Sequence, residues 1–475
     1  MRRWTVAGAL QPFDRGKPLT TQTTTLLRQL GLVSATALVV SNMIGSGILT
    51  TTGFLAGDLG SVQLVLLIWA VGAVCALAGA FCYSELGVNF PSSGGEYVYL
   101  TQAYGPTWGF MSGWVSFFAG FSAPIAAAAL AFSDYFGHFY PAFKLENGRH
   151  FFGSGAWEFK LGLPQLLACA LIAVFAILNC LGVRRAARVQ NVLTSVKVLV
   201  ILIFLVAGFA LGDGSWGNFA QAASRTSSNP IFLQFFVSLL FIYFGYSGWN
   251  AATYVAEELQ QPARTLPLSL AFGTSLVAVL YILLNVVFIY AVPLEKMKGV
   301  VAIGALAATN LFGPAVAGFF SAAMMLSLLA TVNAMSTIGP RVYYAMAKNG
   351  AFFPAAARVD PRWHTPVIAI ISQAICTMVM TISPFVDLLM YIGLLLNFFA
   401  VMSVASIFVF RRRQGWHKLA VVNFAYPLIP AFFVAMGVWI TILAFKLRPG
   451  VSAVAALTVA AGALVYHFSI RGKAA

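Results

Sequence analysis

The stretch "SNMIGSGILTTTG", residues 41–53, interrupts an apolar run that is long enough to cross a membrane. It contains three glycines and five hydroxyl side chains, although glycine is among the poorest helix formers. A break in a helix at membrane depth survives only where the free backbone groups face protein or a water-filled cavity. We therefore predict a helix that is broken at Gly45, Ser46 and Gly47 and faces the interior of a helix bundle.

The composition around this stretch is that of an integral membrane protein. Of the 475 residues, 60% are hydrophobic and 9% are charged, whereas a soluble domain carries about 25% charged residues. Each crossing needs about 20 residues, so the predicted fold is all-α with twelve transmembrane helices. The predicted spans are residues 33–56, 61–88, 105–136, 162–182, 190–211, 230–256, 266–291, 314–340, 366–383, 386–410, 422–444 and 451–470.

The net charge of +15 is explained by membrane orientation rather than by a nucleic-acid partner. If residues 1–32 are a cytoplasmic segment, the inside loops hold more than twice as many Lys and Arg residues as the outside loops, which is the usual bias. We expect a multi-pass protein of the bacterial inner membrane with both termini in the cytoplasm. All five cysteines fall inside apolar runs and no Cys and His residues have metal-ligand spacing, so we expect no cofactor, no metal and no obligatory partner subunit.

A second glycine-interrupted run predicts an internal repeat. The 230–256 run carries Gly245, Ser247 and Gly248 near its middle. Residues 33–211 and 230–410 then form two copies of five spans in inverted orientation, and residues 422–470 add two helices. Paired broken helices in inverted repeats indicate the binding site of a secondary transporter; the alternative is that the glycines only allow close helix packing.

The chemistry of such breaks favours an α-amino acid as substrate. Backbone N–H groups at Ser46, Gly47 and Ile48, together with the positive end of their half-helix, suit a carboxylate. The carbonyls of the preceding half-helices, at 42–44 and at Tyr243 and Phe244, suit an ammonium group. An intramembrane enzyme would need a nucleophile and base or a metal at membrane depth, and a channel would need a charged or carbonyl-lined filter; both are distant alternatives.

Several motifs resemble the amino acid, polyamine and organocation transporter superfamily, and most of all its L-type amino acid transporter branch. They are "SSGGEYVYL" (92–100), "IGSGI" (44–48), "FGYSGWN" (244–250), "AEEL" (256–259), "QPARTLP" (261–267) and "RVYYAMAKNGAFFP" (341–354). The resemblance covers about residues 28–413. It implies a LeuT-type fold of five plus five inverted repeats, with the first and sixth helices broken.

The resemblance also implies roles for residues at the two breaks. Ile44 to Ile48 would hold the substrate carboxylate through the central Gly-Ser-Gly, and carbonyls of the sixth span would hold the amine. Phe244 would close over the substrate as an outer gate, and Ser247, which stands where the family often has glycine, would narrow the side-chain pocket. Trp249 and Asn250 would shape the half-helix that follows.

Lys197 is a cation inside the fifth predicted span. Its α-carbon lies about 12 Å along a helix from the cytoplasmic end, so its side chain either snorkels to the surface or has a function within the membrane. In sodium-independent relatives, a lysine on this span occupies the place of a sodium ion. The resemblance thus implies that the Lys197 ammonium bonds carbonyls of the first span and the hydroxyl of Thr331.

The positions of the acidic residues favour neutral amino acids as substrates. No Asp or Glu lies near the middle of a predicted span, and a buried cationic side chain would need a carboxylate partner. A cationic amino acid carrier is the alternative, and exchange, uniport and proton coupling all remain open. Asn397 either reaches the substrate side chain or forms an interhelical hydrogen bond. Arg341 is either part of an inner gate or an interfacial charge. The hydroxyls of Thr50 to Thr52 either line the outer vestibule or bond their own helix.

Overall fold

The computed structural model describes residues 30–91, 94–152, 159–348, 350–363 and 365–470. Most of the predicted cytoplasmic segment 1–32 therefore lies outside the described residues. The first part of the chain contains helices α1 (Leu32–Met43), α2 (Ser46–Leu59), α3 (Val62–Asn89), α4 (Glu96–Tyr104), α5 (Pro106–Val115), α6 (Ala123–Phe136), α7 (Leu163–Cys180) and α8 (Val183–Ala210). A π-helical segment (Ser116–Ser122) joins α5 to α6, and short 3-10 turns occur at Pro141–Phe143, Leu145–Asn147 and Trp216–Ala220.

The second part of the chain is also helical. It contains α9 (Ile231–Gly245), a 3-10 helix (Ala251–Glu258), α10 (Pro262–Ala291), α11 (Leu294–Met297), α12 (Ile303–Lys348), a 3-10 turn (Pro354–Ala357), α13 (Val367–Met380), α14 (Phe385–Phe410), α15 (Ala420–Asn423), α16 (Leu428–Leu447), α17 (Pro449–Val465) and a final π segment (Tyr466–Ile470). Among the described residues, β1 (Arg149–Phe152) and β2 (Phe159–Leu161), after α6, form an antiparallel pair of strands that the all-α prediction did not include.

The described residues contain nine helices that are long and apolar enough to cross a membrane, or ten when α1 and α2 count as one bent span. The sequence predicted twelve. The two predicted spans that this count leaves out correspond to α9 and α13, which are apolar but shorter than a full crossing. In the sixth predicted span the α-helix ends at Gly245, and the chain continues as the 3-10 helix Ala251–Glu258 after a turn.

Two further spans differ from the prediction in their regularity. The third span changes to π-helical geometry between α5 and α6. The eighth is the second part of α12, which is kinked at Gly313, where φ is 75°. This left-handed backbone conformation suits glycine, and Pro314 after it has no N–H group to continue the hydrogen-bond ladder of the preceding helix.

The broken helices belong to one packed group, which we call the broken-helix bundle: α1, α2, α3, α9, α10 and the 3-10 helix Ala251–Glu258. Within it α1 and α3 pack on α10, and α2 packs on α9. A second group, α6, α7, α8, α12 and α13, packs beside it, with α8 and α6 on α12 and α13 on α7. The two helix breaks lie inside this arrangement rather than on its lipid-facing surface, because residues on both sides of each break are buried.

Candidate functional site

The first break separates α1 from α2 by two residues and bends the chain by 42°. Ile44 and Gly45 have extended backbone conformations, and α2 begins at Ser46. Ser46, Gly47 and Ile48 are all buried, and no side chain caps this helix N-terminus. The first N–H groups of a helix have no partner within the helix, so the start of α2 presents donors and a positive dipole end in a buried position.

Protein groups already bind the carbonyls at the end of α1. Lys197 is 1% exposed, and its Nζ donates to the carbonyl of Ile44 at 2.6 Å, to that of Ser41 at 3.4 Å and to Thr331 Oγ1 at 3.3 Å. Lys197 therefore lies at the first break and does not snorkel. The Tyr281 hydroxyl donates to the carbonyl of Met43 at 2.6 Å, a contact that the sequence did not indicate.

The sixth break is a longer interruption. After α9, the N–H of Tyr246 bonds the carbonyl of Ile242 at 2.8 Å and the N–H of Ser247 bonds that of Phe244 at 3.0 Å. Gly248 has a φ of 98°, which favours glycine at this position. The chain then enters the 3-10 helix at Ala251.

The two breaks are in direct contact through glycines. A Cβ placed on Gly47 would overlap the Cα of Gly245, and a Cβ on Gly248 would lie 2.8 Å from the carbonyl oxygen of Asn42. The packing explanation therefore holds for Gly47 and Gly248. It coexists with the proposed ligand site, because this close approach brings the N-terminus of α2 beside the end of α9.

Aromatic side chains pack around the breaks in an arrangement that the motifs did not reveal. Phe244 is 4% exposed. On α2, Phe54 stacks on Phe241 of α9 with ring centroids 5.6 Å apart and meets Phe385 of α14 at 6.1 Å. A phenylalanine in an apolar helix gives no sequence signal of such a contact, because it fits lipid or core equally well.

Residues after the sixth break contact α3 and α4. The ring centroids of Trp249 and Tyr83 lie 4.7 Å apart. The Asn250 Nδ2 donates to Glu96 Oε1 at 2.6 Å, and the hydroxyl of Tyr254 donates to Glu96 Oε2. Glu96 was predicted only as part of a loop motif. It is the main residue of this region that the sequence did not single out.

The remaining candidates lie elsewhere. Asn397 of α14 donates to the carbonyl of Gly437 at 2.9 Å and to Thr441 Oγ1 at 3.0 Å, both on α16. It therefore forms the interhelical hydrogen bond that was one of its two predicted roles. The Arg341 guanidinium donates to the carbonyl of Thr337, one turn earlier on the same helix.

The hydroxyls that follow the first break also have protein partners. Thr50 and Thr51 bond carbonyls of their own helix at 2.9 and 2.7 Å, and Thr52 bonds Asn285 Oδ1 at 2.7 Å. Two of the three therefore satisfy their own helix. Within the described residues no group of His, Cys, Asp and Glu could hold a metal ion.

Comparison with known proteins gives a consistent result. The model of the family described as "Amino acid permease" matches residues 30–467. The human "Large neutral amino acids transporter small subunit 2" is 29% identical over 456 residues, which cover 94% of this chain and 81% of the relative. The "Serine/threonine exchanger SteT" of Bacillus subtilis is 28% identical over 459 residues, covering 94% and 98%. The mouse "b(0,+)-type amino acid transporter 1" is 30% identical over 364 residues, covering 75% and 70%.

Proposed function

Since the chain belongs to the amino acid permease family, we propose that it is a sodium-independent secondary transporter that carries neutral L-amino acids by alternating access. The relatives named above are amino acid transporters and not enzymes.

One observation carries the proposed site: the uncapped, buried N-terminus of α2 lies against the end of α9. Ser46, Gly47 and Ile48 offer N–H donors to a carboxylate, because anions bind well at helix N-termini. The carbonyls of Tyr243 and Phe244 lie in the last turn of α9, where the dipole favours a cation. An α-amino acid carries a carboxylate and an ammonium on one carbon, so its two charges match the two helix ends.

Lys197 supports sodium independence. Its ammonium bonds two carbonyls of α1 and the hydroxyl of Thr331, and oxygen atoms of this kind are the ligands of hard cations. A chain that places its own cation there has no need of a sodium ion at that position.

The topology that goes with this function is twelve spans, with 33–211 and 230–410 as inverted repeats, 422–470 as additions and both termini in the cytoplasm. The two broken helices at corresponding places in the halves support it. We also propose that the protein works in the cell membrane without an obligatory partner subunit. In support of this, its five cysteines are free and lie in helices α3, α7 and α13.

The preference for neutral substrates draws on the relatives, two of which are named for large neutral amino acids and for serine and threonine. A carrier of cationic amino acids is the alternative, because backbone carbonyls and the nearby Glu96 could serve a positive side chain.

The test is radiolabelled uptake into liposomes that contain the purified protein. We expect uptake of leucine, alanine or serine that is unchanged when choline replaces sodium. Uptake that requires sodium would contradict the proposal, and stronger competition by arginine than by leucine and alanine would favour the alternative. Comparing liposomes with and without internal amino acid separates exchange from uniport, and an imposed pH gradient detects proton coupling. Protein-free liposomes give the background.

A further inference from the structure

We propose that Glu96 is a positioning residue for transport, which holds the second half of the sixth span against α3 and α4 so that the two breaks keep their substrate-binding arrangement. This inference rests on the proposed function. It concerns a residue of a loop motif that contacts the sixth span beyond Gly248 and acts through Asn250 and Tyr254.

The carboxylate of Glu96 accepts hydrogen bonds from two elements of the broken-helix bundle. From α3, the hydroxyl of Tyr83 donates to Oε1 at 3.1 Å. From the segment after the sixth break, the Nδ2 of Asn250 donates to Oε1 at 2.6 Å and the hydroxyl of Tyr254 donates to Oε2. Asn250 is two residues beyond Gly248, so this junction fixes the chain immediately after the break.

Glu96 belongs to helix α4, which lies outside the broken-helix bundle. It is in the first turn of α4, where the helix dipole favours a carboxylate. The other end of α4 is bound to α14 and to the turn after it: the hydroxyl of Tyr104 donates to the carbonyl of Met402 at 3.2 Å, and Arg413 donates to that of Gln102 at 2.8 Å. Helix α4 therefore connects α14 to the second half of the sixth span, and Glu96 is its contact with that half.

A second carboxylate nearby shows what a more permanent connection looks like. Glu85 of α3 is 0% exposed. It accepts from Arg411 Nε at 2.7 Å and NH2 at 2.6 Å, and from Trp416 Nε1 at 2.8 Å. Removal of either partner from a buried ion pair is strongly destabilising, because it leaves an uncompensated buried charge.

The connection at Glu96 differs in the kind of donor. Within the part of the chain that the structure describes, the ion pairs involve Glu146, Glu295 and Glu85 but not Glu96. Its donors are two hydroxyls and an amide, which are neutral. Such a junction is specific yet releasable, as a segment that moves during alternating access requires.

The test compares Glu96→Gln with wild type in liposome uptake. The amide keeps the size of the side chain but loses the charge that strengthens its hydrogen bonds, so we expect KM to rise about tenfold, with the rate at saturation kept or increased. The conservative Glu96→Asp keeps the charge and should restore much of the affinity. Glu146→Gln is the matched control, because Glu146 is an exposed carboxylate and its variant should transport like wild type.

Tyr254→Phe removes one donor from the same junction. If Glu96 and Tyr254 act through the same junction, the increase in KM of the double variant Glu96→Gln with Tyr254→Phe should be smaller than the product of the increases in the two single variants. The reason is that effects within one hydrogen-bond network are not additive. This variant, with Glu96→Asp, also carries the test if Glu96→Gln fails to fold.

An unchanged KM in Glu96→Gln would overturn the inference. So would a lower melting temperature and a lower saturating rate with KM unchanged, because that result describes a merely structural contact. Absence of amino acid uptake by wild type would instead overturn the proposed function, whatever the variants do.

Discussion

The two helix breaks touch each other, but groups of opposite charge fasten them. At the first break the ammonium of Lys197 binds the backbone, 2.6 Å from the carbonyl of Ile44. At the sixth break the carboxylate of Glu96 binds side chains, those of Asn250 and Tyr254. The fastening of the sixth break thus uses none of the carbonyls at the end of α9. Two similar interruptions can therefore perform complementary tasks, the first binding a cation of the chain and the second, under the proposed function, binding the amine of the substrate.

The largest expected effect comes from separating the two breaks. In Gly47→Leu the new side chain would run into Gly245, and overpacking of this kind costs about 1–3 kcal/mol. We expect amino acid binding and uptake to fall to background while the protein still inserts and remains helical. Radioligand binding, uptake and circular dichroism measure these outcomes. Gly217→Leu, at an exposed position in the 3-10 turn Trp216–Ala220, is the control, and normal uptake by Gly47→Leu would contradict the site.

The next effect removes the cation of the first break. Lys197→Met keeps a similar length but leaves the carbonyls of Ile44 and Ser41 without this donor. A buried group that loses its partner costs about 1–3 kcal/mol, so we expect a lower melting temperature and uptake reduced by at least about tenfold. Lys446→Met, at an exposed position on α16, should change neither. Uptake that survives unchanged would show that the first break needs no fastening cation.

A smaller effect should follow from the second donor at the first break. Tyr281→Phe removes only the hydroxyl that bonds the carbonyl of Met43. A single hydrogen bond contributes about 1 kcal/mol, so we expect KM to rise about fivefold and the protein to remain folded. The exposed Tyr140 gives the control variant Tyr140→Phe. An effect as large as that of Lys197→Met would mean that the phenol, and not the ammonium, is the main fastening.

The smallest effect concerns the limits of the site. Asn397→Ala removes hydrogen bonds to Gly437 and Thr441 on α16, so we expect about 1 kcal/mol less stability and an unchanged KM. Thr441→Val should cause part of the same loss without adding fully to it. A KM that changes with the size of the substrate side chain would instead place Asn397 in the pocket and extend the site beyond the two breaks.

Local features of the sequence predicted the first break well. Glycines inside an apolar run and a lysine at membrane depth are unusual at their own positions, so Gly45, Gly47 and Lys197 could be singled out without a fold. Thr331 came only from the family resemblance. The close contact of Gly47 with Gly245 could not be read from the sequence, because it depends on how α2 and α9 approach in space.

The rest of the site gave no such local signal. Tyr281 is one aromatic residue in an apolar helix, and Glu96 is one acid in a polar loop; both are ordinary where they stand. Their partners are 238 residues and up to 158 residues away, and such contacts follow from helix packing. The π segment Ser116–Ser122 and the short helices α9 and α13 also depend on tertiary packing, which is why the sequence did not indicate where the predicted spans depart from continuous α-helix.

The buried ammonium of Lys197 has an energetic consequence. The ammonium of Lys197 is covalently part of the chain, so its local concentration does not change with the salt concentration of the medium. It therefore strengthens the first break equally at low and at high salt. The nitrogen of Lys197 stays attached to the chain, so it is not carried across the membrane as a bound sodium ion would be. Under the proposed function, any accumulation of substrate would be driven by exchange for another solute or by a proton gradient, and not by a sodium ion bound at this position.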